Sequence, residues 1–121
     1  MRREELYLQD IVEAVSAIEY FLAGIEKEVF LESDLLQSAV LQKLSILGEA
    51  SARISDELKN RYPQTPWKKI VGFRNIAIHV YFSMNWEIVW AAAIKDAPTL
   101  GKQILLIQQT EFPDSQLRNQ E

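Results

Sequence analysis

Apolar residues recur at steps of three and four along most of the chain. Leu8, Ile11, Val12, Val15, Ile18, Leu22 and Ile25 form one such stripe, which predicts an amphipathic helix from about Arg3 to Lys27. Ser33 and Asp34 are residue types that cap helix N-termini. After them Leu36, Val40, Leu44, Leu47, Ser51, Ile54 and Leu58 predict a second helix running to about Asn60. The two prolines of Arg61-Tyr62-Pro63-Gln64-Thr65-Pro66 end it and hold the chain extended until a third helix starts near Pro66 or Trp67. That helix carries Ile70, Val71, Phe73, Arg74, Ile78 and His79 and is expected to fray between Tyr81 and Ser83. Asn85 is expected to cap a fourth, with Ile88, Val89 and Ala92 inward and Trp86 and Trp90 one turn apart on a common side. Pro98 opens a fifth containing Leu100, Ile104, Leu105 and Ile107. No alternating strand pattern, internal repeat or glycine-rich phosphate loop competes, so the pattern predicts an all-α protein. Its architecture is an antiparallel up-and-down bundle of four to five helices, over residues 1–112, followed by a polar tail over 113–121.

Composition narrows the chemistry. With 48% hydrophobic and 25% charged residues the chain is too apolar for disorder, and it has no run near the ~20 apolar residues that span a bilayer. Its first residues turn acidic at once and lack the apolar stretch of a secretion signal, so a cytoplasmic location with no membrane contact is expected. There is no cysteine and one histidine, His79, so neither a thiolate site nor a multi-histidine zinc site can form within one chain. Any catalysis is expected to need no metal and no cofactor.

A net charge of −4 argues against a protein that coats nucleic acid. The charge is unevenly spread, however. Between Glu57 and Glu87 no acid occurs, while Lys59, Arg61, Lys68, Lys69 and Arg74 do, so this stretch carries +5 and the rest −9. A phosphate-bearing ligand would be drawn there, which makes Lys59, Arg61, Lys68 and Lys69 candidate RNA-binding residues. The alternative is a basic segment that balances acidic helices nearby or in a partner.

Arg74 and His79 are residue types suited to phosphodiester cleavage. Arginine offers a fixed fork of donors to phosphate oxygens, and histidine titrates near neutral pH, so it can take a proton from a ribose 2′-hydroxyl. Asn75 can add a hydrogen bond to phosphate or imidazole. On a continuous helix residues five apart lie ~140° apart around the axis and ~7.5 Å along it, so the two do not share a face. Either the helix unwinds before His79, or the site lies where two surfaces meet. A homodimer would supply a base and an acid by bringing two His79 side chains to one cleft. The structural alternatives are an arginine and a histidine that complement a helix C-terminus, and Tyr81, Phe82, Trp86, Trp90 and Trp67 as packing aromatics.

The segment Arg74-Asn75-Ile76-Ala77-Ile78-His79-Val80-Tyr81-Phe82 resembles the R-polar-x3-H-x-Y segment of HepT proteins, the HEPN-family toxins paired with a minimal nucleotidyltransferase antitoxin. Leu47-Gly48-Glu49-Ala50 with Ile54-Ser55, Tyr62-Pro63, Pro66-Trp67, Ile88-Val89-Trp90 and Pro98-Thr99-Leu100 resemble other family segments in the expected order, over about residues 5–108. Val80 and Met84-Asn85 depart from the usual residues at the motif's edges. The resemblance implies a HEPN-like bundle acting as a homodimeric, metal-independent ribonuclease toxin on tRNA or mRNA. Arg74 and His79 would be catalytic, Asn75 would support them, and Tyr81 would be the tyrosine to which the antitoxin transfers AMP. Glu49 is expected to reach Arg74 from the second helix and hold its guanidinium. Two other readings stand beside this one: a non-catalytic nucleotide- or partner-binding subunit of a nucleotidyltransferase complex, and an interaction module with no nucleic-acid role.

Overall fold

The structure, a computed structural model, describes residues 3–83 and 85–114; the side chains of residues 77–83 lie outside what it describes. Every regular element among the described residues is helical: α1 (Glu4–Leu22), α2 (Lys27–Glu32), α3 (Asp34–Ala52), α4 (Asp56–Arg61), α5 (Trp67–Ser83), α6 (Trp86–Ala91) and α7 (Ala97–Glu111). A π-helical turn, Ala92–Asp96, joins α6 to α7.

The predicted stripes build one core. Leu8, Ile11, Val15 and Ile18 of α1 meet Val40, Leu44 and Leu47 of α3, Ile70 and Phe73 of α5, and Leu100, Ile104 and Ile107 of α7, all buried. Full burial of one such side chain is worth about 1.5–3 kcal/mol, so these stripes rather than local propensity hold the helices in place. The directions of the helices follow from contacts between their ends. Ser55 N–H, just past α3, donates to the Glu4 carboxylate at the start of α1 (2.6 Å), so α3 runs back along α1. Gln108 of α7 donates to Gln9 of α1 (2.8 Å), and an added Cβ at Gly101 would touch Val15 Cγ1 at 2.7 Å. Residue numbers therefore fall on α1 as they rise on α7, as in an antiparallel pair.

Several expected boundaries move. The first helix ends at Leu22 rather than Lys27, because Gly24 takes φ +73°, a left-handed conformation that breaks the helix. The next residues form α2, whose Phe30 is buried and stacks obliquely on Trp90 (5.3 Å between centroids). Buried Gln37 holds the end of α2, donating to the carbonyls of Phe30 (3.1 Å) and Leu31 (3.0 Å). Ser33 does cap α3, its hydroxyl accepting from Leu36 N–H (3.1 Å). The second helix, expected to reach Asn60, ends at Ala52. Ser55 then adopts an extended backbone and caps α4 through Leu58 N–H (3.1 Å), with Asp56 and Glu57 in the first turn. Ile54 and Leu58 are buried as the stripe required, but from two elements. Asn85 stands at the N-cap of α6 without a side-chain hydrogen bond. Ile88 (47% exposed) faces outward, contrary to expectation, because α6 buries its neighbour Val89, which lies ~100° round the helix. Pro98 has no N–H to give the Ile94 carbonyl, and the wider turn just before it, closed by Ala97 N–H to Ala92 C=O, relieves that mismatch. Of the expected tail, residues 115–121 lie outside the described residues. No helix among the described residues is long and apolar enough to cross a membrane.

Candidate functional site

Helix α5 carries the motif, and its start is set by the connector before it. Trp67, 8% exposed, is the packing anchor the sequence suggested. Its Nε1–H donates to the Tyr62 carbonyl (3.0 Å), and Ile70 N–H bonds to Pro66 C=O (3.1 Å), which opens the helix directly after the second proline. From there α5 is one unbroken α-helix to Ser83, so the possibility that the backbone unwinds before His79 is removed. Arg74 and position 79 keep the ~140° angular separation of a continuous helix.

Arg74 sits where α5 crosses α3, and the crossing is close because residue 48 is glycine. A Cβ there would lie 2.6 Å from Arg74 N, 2.8 Å from Arg74 Cβ and 3.1 Å from Val71 O. From the next residue on α3, Glu49 Oε1 meets Arg74 Nη1 at 3.5 Å, while its Oε2 meets Arg53 Nη2 at 3.7 Å. Arg74 and Glu49 are 40% and 51% exposed, so the pair stays in water and orients the guanidinium more than it stabilises the fold. Asn75 is exposed beside it. His79 and Tyr81 belong to the backbone of α5, but their side chains, like those of Val80 and Phe82, lie outside the described residues, as does Met84. Trp86 and Trp90 are half-buried against the core.

The basic stretch divides into engaged and free cations. Arg61 bonds Glu111 (2.7 Å) and Glu57 (3.3 Å), and Tyr62 donates its hydroxyl proton to the same Glu111 (2.6 Å). The Arg61 hydrogen bond first, and the Tyr62 one after it, hold the Glu111 carboxyl below the usual carboxylate range; reciprocally, Glu111 raises Arg61 and Tyr62 above theirs. Lys69 pairs with Asp96 of the π turn (3.0 Å). Lys59 and Lys68 have no ion-pair partner among the described residues. Glu111 and Asp96 had no signal in the sequence, because both reach their partners across the bundle. Gly48 was legible only as part of a resembling segment.

Among the described residues no group of three His, Cys, Asp or Glu side chains is placed to hold a metal ion. An all-helical bundle with a cationic helix, its arginine oriented by an acid from the neighbouring helix, is the class that fold and site define. The chain belongs to the HepT-like ribonuclease family: the model described as "Ribonuclease HepT-like" matches residues 11–107. It is 32% identical over 106 residues to a Methanocaldococcus jannaschii protein named "Putative RNase MJ1380", covering 88% of this chain and 97% of that one. It is 33% identical over 111 residues to "Putative RNase TTE0752" of Caldanaerobacter subterraneus subsp. tengcongensis (92% and 99%). It is 37% identical over 99 residues to "Probable ribonuclease HepT" of Thermococcus cleftensis (82% and 90%). No solved structure matches it.

Proposed function

We propose that the chain is a metal-independent endoribonuclease, the toxin of a toxin–antitoxin pair, acting as a homodimer in the cytoplasm with Arg74, His79 and Asn75 as its catalytic residues. The observation that carries this is the anchoring of Arg74 at the α3–α5 crossing, over Gly48 and against Glu49, in a member of a ribonuclease family. Arg74 binds the non-bridging oxygens of the scissile phosphate and neutralises charge that grows as the phosphorus becomes five-coordinate. One His79 takes the proton of the ribose 2′-hydroxyl, whose oxygen attacks the adjacent phosphorus. The bond to the 5′ oxygen breaks, and a second imidazole protonates that leaving oxygen, giving a 2′,3′-cyclic phosphate and a 5′-hydroxyl. Each chain has a single histidine, and the unbroken α5 turns position 79 away from Arg74, so both facts favour a cleft shared by two subunits. A minimal nucleotidyltransferase antitoxin silences the enzyme by transferring AMP to Tyr81, which adds bulk and negative charge beside the groove.

Growth arrest on expression, and RNA cleavage by the purified protein, are expected of the wild type and not of His79→Ala. Equal activity of the two would remove His79 from the mechanism. Refolding wild-type with His79→Ala subunits gives a mixed dimer with a single imidazole, which is expected to cleave at far less than half the wild-type rate. A mixed dimer with half the wild-type rate would confine the site to a single chain. A protein that binds a nucleotidyltransferase tightly but cleaves no RNA across a range of pH would instead be a non-catalytic subunit.

A further inference from the structure

We propose that the groove between α4 and the start of α5 docks the sugar–phosphate backbone of single-stranded RNA through Lys59 and Lys68, an inference that rests on the ribonuclease reading above. Three of the five cations in the basic stretch are occupied: Arg61 by Glu111 and Glu57, Lys69 by Asp96, and Arg74 by Glu49. Arg61, between two acids, and Lys69, on Asp96, must give up a pair before meeting a phosphate, whereas the Arg74 fork keeps guanidinium donors that Glu49 does not take. Lys59 and Lys68 are the two left without a partner among the described residues, and both border one open groove of about 660 Å³. Pro63, Trp67 and Val71 give it an apolar lining between the two ammonium groups. The one acid on its rim is Asp56, in the first turn of α4.

The groove borders the helix that carries the motif, since Lys68 and Val71 of α5 line it. Lys68, Gly72, Asn75 and position 79 fall within a ~60° sector of α5 and span ~16 Å along its axis, a length that a few nucleotides of extended strand cover. Lys68 and Asn75 are exposed, and an added Cβ at Gly72 meets nothing within 4 Å, so this track is unobstructed from Lys68 to Asn75. A strand whose scissile phosphate lies at Asn75 and His79 therefore leads its neighbouring phosphates toward Lys68 and then Lys59. A single strand suits the chemistry, because the 2′-hydroxyl can line up with the leaving oxygen only when the nucleotide departs from A-form geometry. An acidic protein segment is the competing occupant, but it would leave the alignment with Asn75 unused.

The probe is a fluorescein-labelled single-stranded 2′-O-methyl RNA, which keeps every phosphate and lacks the attacking hydroxyl, titrated by anisotropy at several salt concentrations. Lys59→Gln/Lys68→Gln is expected to bind at least about tenfold more weakly, and its slope of log affinity against log salt to fall by about 1.4, or about 0.7 for either lysine alone. Arg61→Gln is expected to keep the wild-type slope, and Asp56→Asn to bind several-fold more tightly. An unchanged slope in the double variant overturns the groove. So does loss of nucleotidyltransferase binding with RNA binding intact, which would assign the groove to an acidic partner. Cleavage of unmodified RNA separates the two claims. A protein that binds through these lysines yet cleaves nothing ends the nuclease reading alone, and one that cleaves with an unaltered slope ends the groove alone.

Discussion

Replacing Gly48 with alanine tests the physical basis of the site more directly than any catalytic substitution. The new methyl would lie 2.6 Å from the backbone nitrogen of Arg74, about 0.8 Å inside the 3.4 Å where ordinary contact begins, and 2.8 Å from Arg74 Cβ. Neither atom belongs to a flexible side-chain tip, so α3 and α5 must separate. Overpacking of this kind costs about 1–3 kcal/mol, while exchanging a mid-helix glycine for alanine returns about 1 kcal/mol of helix propensity. The expected net loss is about 1 kcal/mol. Gly72→Ala is the matched control: it is also inside a helix, with nothing within 4 Å of its added Cβ, so it should gain about 1 kcal/mol. Urea unfolding of the two variants without RNA should therefore separate them by about 2 kcal/mol, or about 1 M in midpoint for a slope of about 2 kcal/mol per M. Because the shift acts on the backbone of Arg74, cleavage by the still-folded Gly48→Ala protein should fall further than its stability does. A Gly48→Ala protein as stable as Gly72→Ala, and as active as wild type, would show that the close crossing does not position the arginine.

Glu49→Gln removes a half-exposed carboxylate, so thermal stability should barely change while kcat for RNA cleavage falls about tenfold; loss of neither would end its positioning role. Glu111→Gln bears on pH. The Glu111 pKa is lowered in the folded protein, so its stabilisation is complete above the ordinary carboxylate value of 4.5 and is lost as pH falls through the lower folded value. Acid unfolding of the variant should thus be shallower below that point, and coincident pH profiles would refute a stabilising role for the bonds of Glu111 to Arg61 and Tyr62. For the regulation, coexpression with a nucleotidyltransferase should add adenylyl mass to the wild type and none to Tyr81→Phe; an unmodified wild type would mean that control works by binding alone.

The buried stripes were legible because a period of 3.6 decides which residues face a core, and Leu44, Ile70 and Ile104 all lie where that period puts them. Boundaries were not, wherever a cap outweighed the stripe. Ser55 starts α4 in mid-pattern, and α1 stops at Leu22, five residues before Lys27, because the left-handed backbone of Gly24 ends the helix. The π turn is a harder case. It changes the register between α6 and α7 without changing the spacing of apolar residues enough to announce itself. In the site, the Glu49–Arg74 pair was anticipated from motif proximity and is present. The division of the basic stretch into occupied and free cations was out of reach, since Asp96 and Glu111 lie 27 and 50 residues beyond Lys69 and Arg61.

Continuity of α5 also bears on how the proposed modification would act. Positions 74 and 81 are seven apart, so on an unbroken helix they fall within ~20° of each other around the axis and ~10 Å along it, whereas 79 and 81 are separated by ~160°. Position 81 thus falls on the side of the helix that holds position 74 rather than 79, although it is nearer 79 in sequence. An adenylyl phosphate attached there would compete first for the guanidinium that Glu49 holds, supplying in cis the anion that the scissile phosphate must otherwise provide. On this argument, silencing is less a matter of repelling RNA from the whole groove than of filling its one oriented phosphate fork. The lysines at the far end would be left free, and a modified protein would still be able to hold RNA without cutting it.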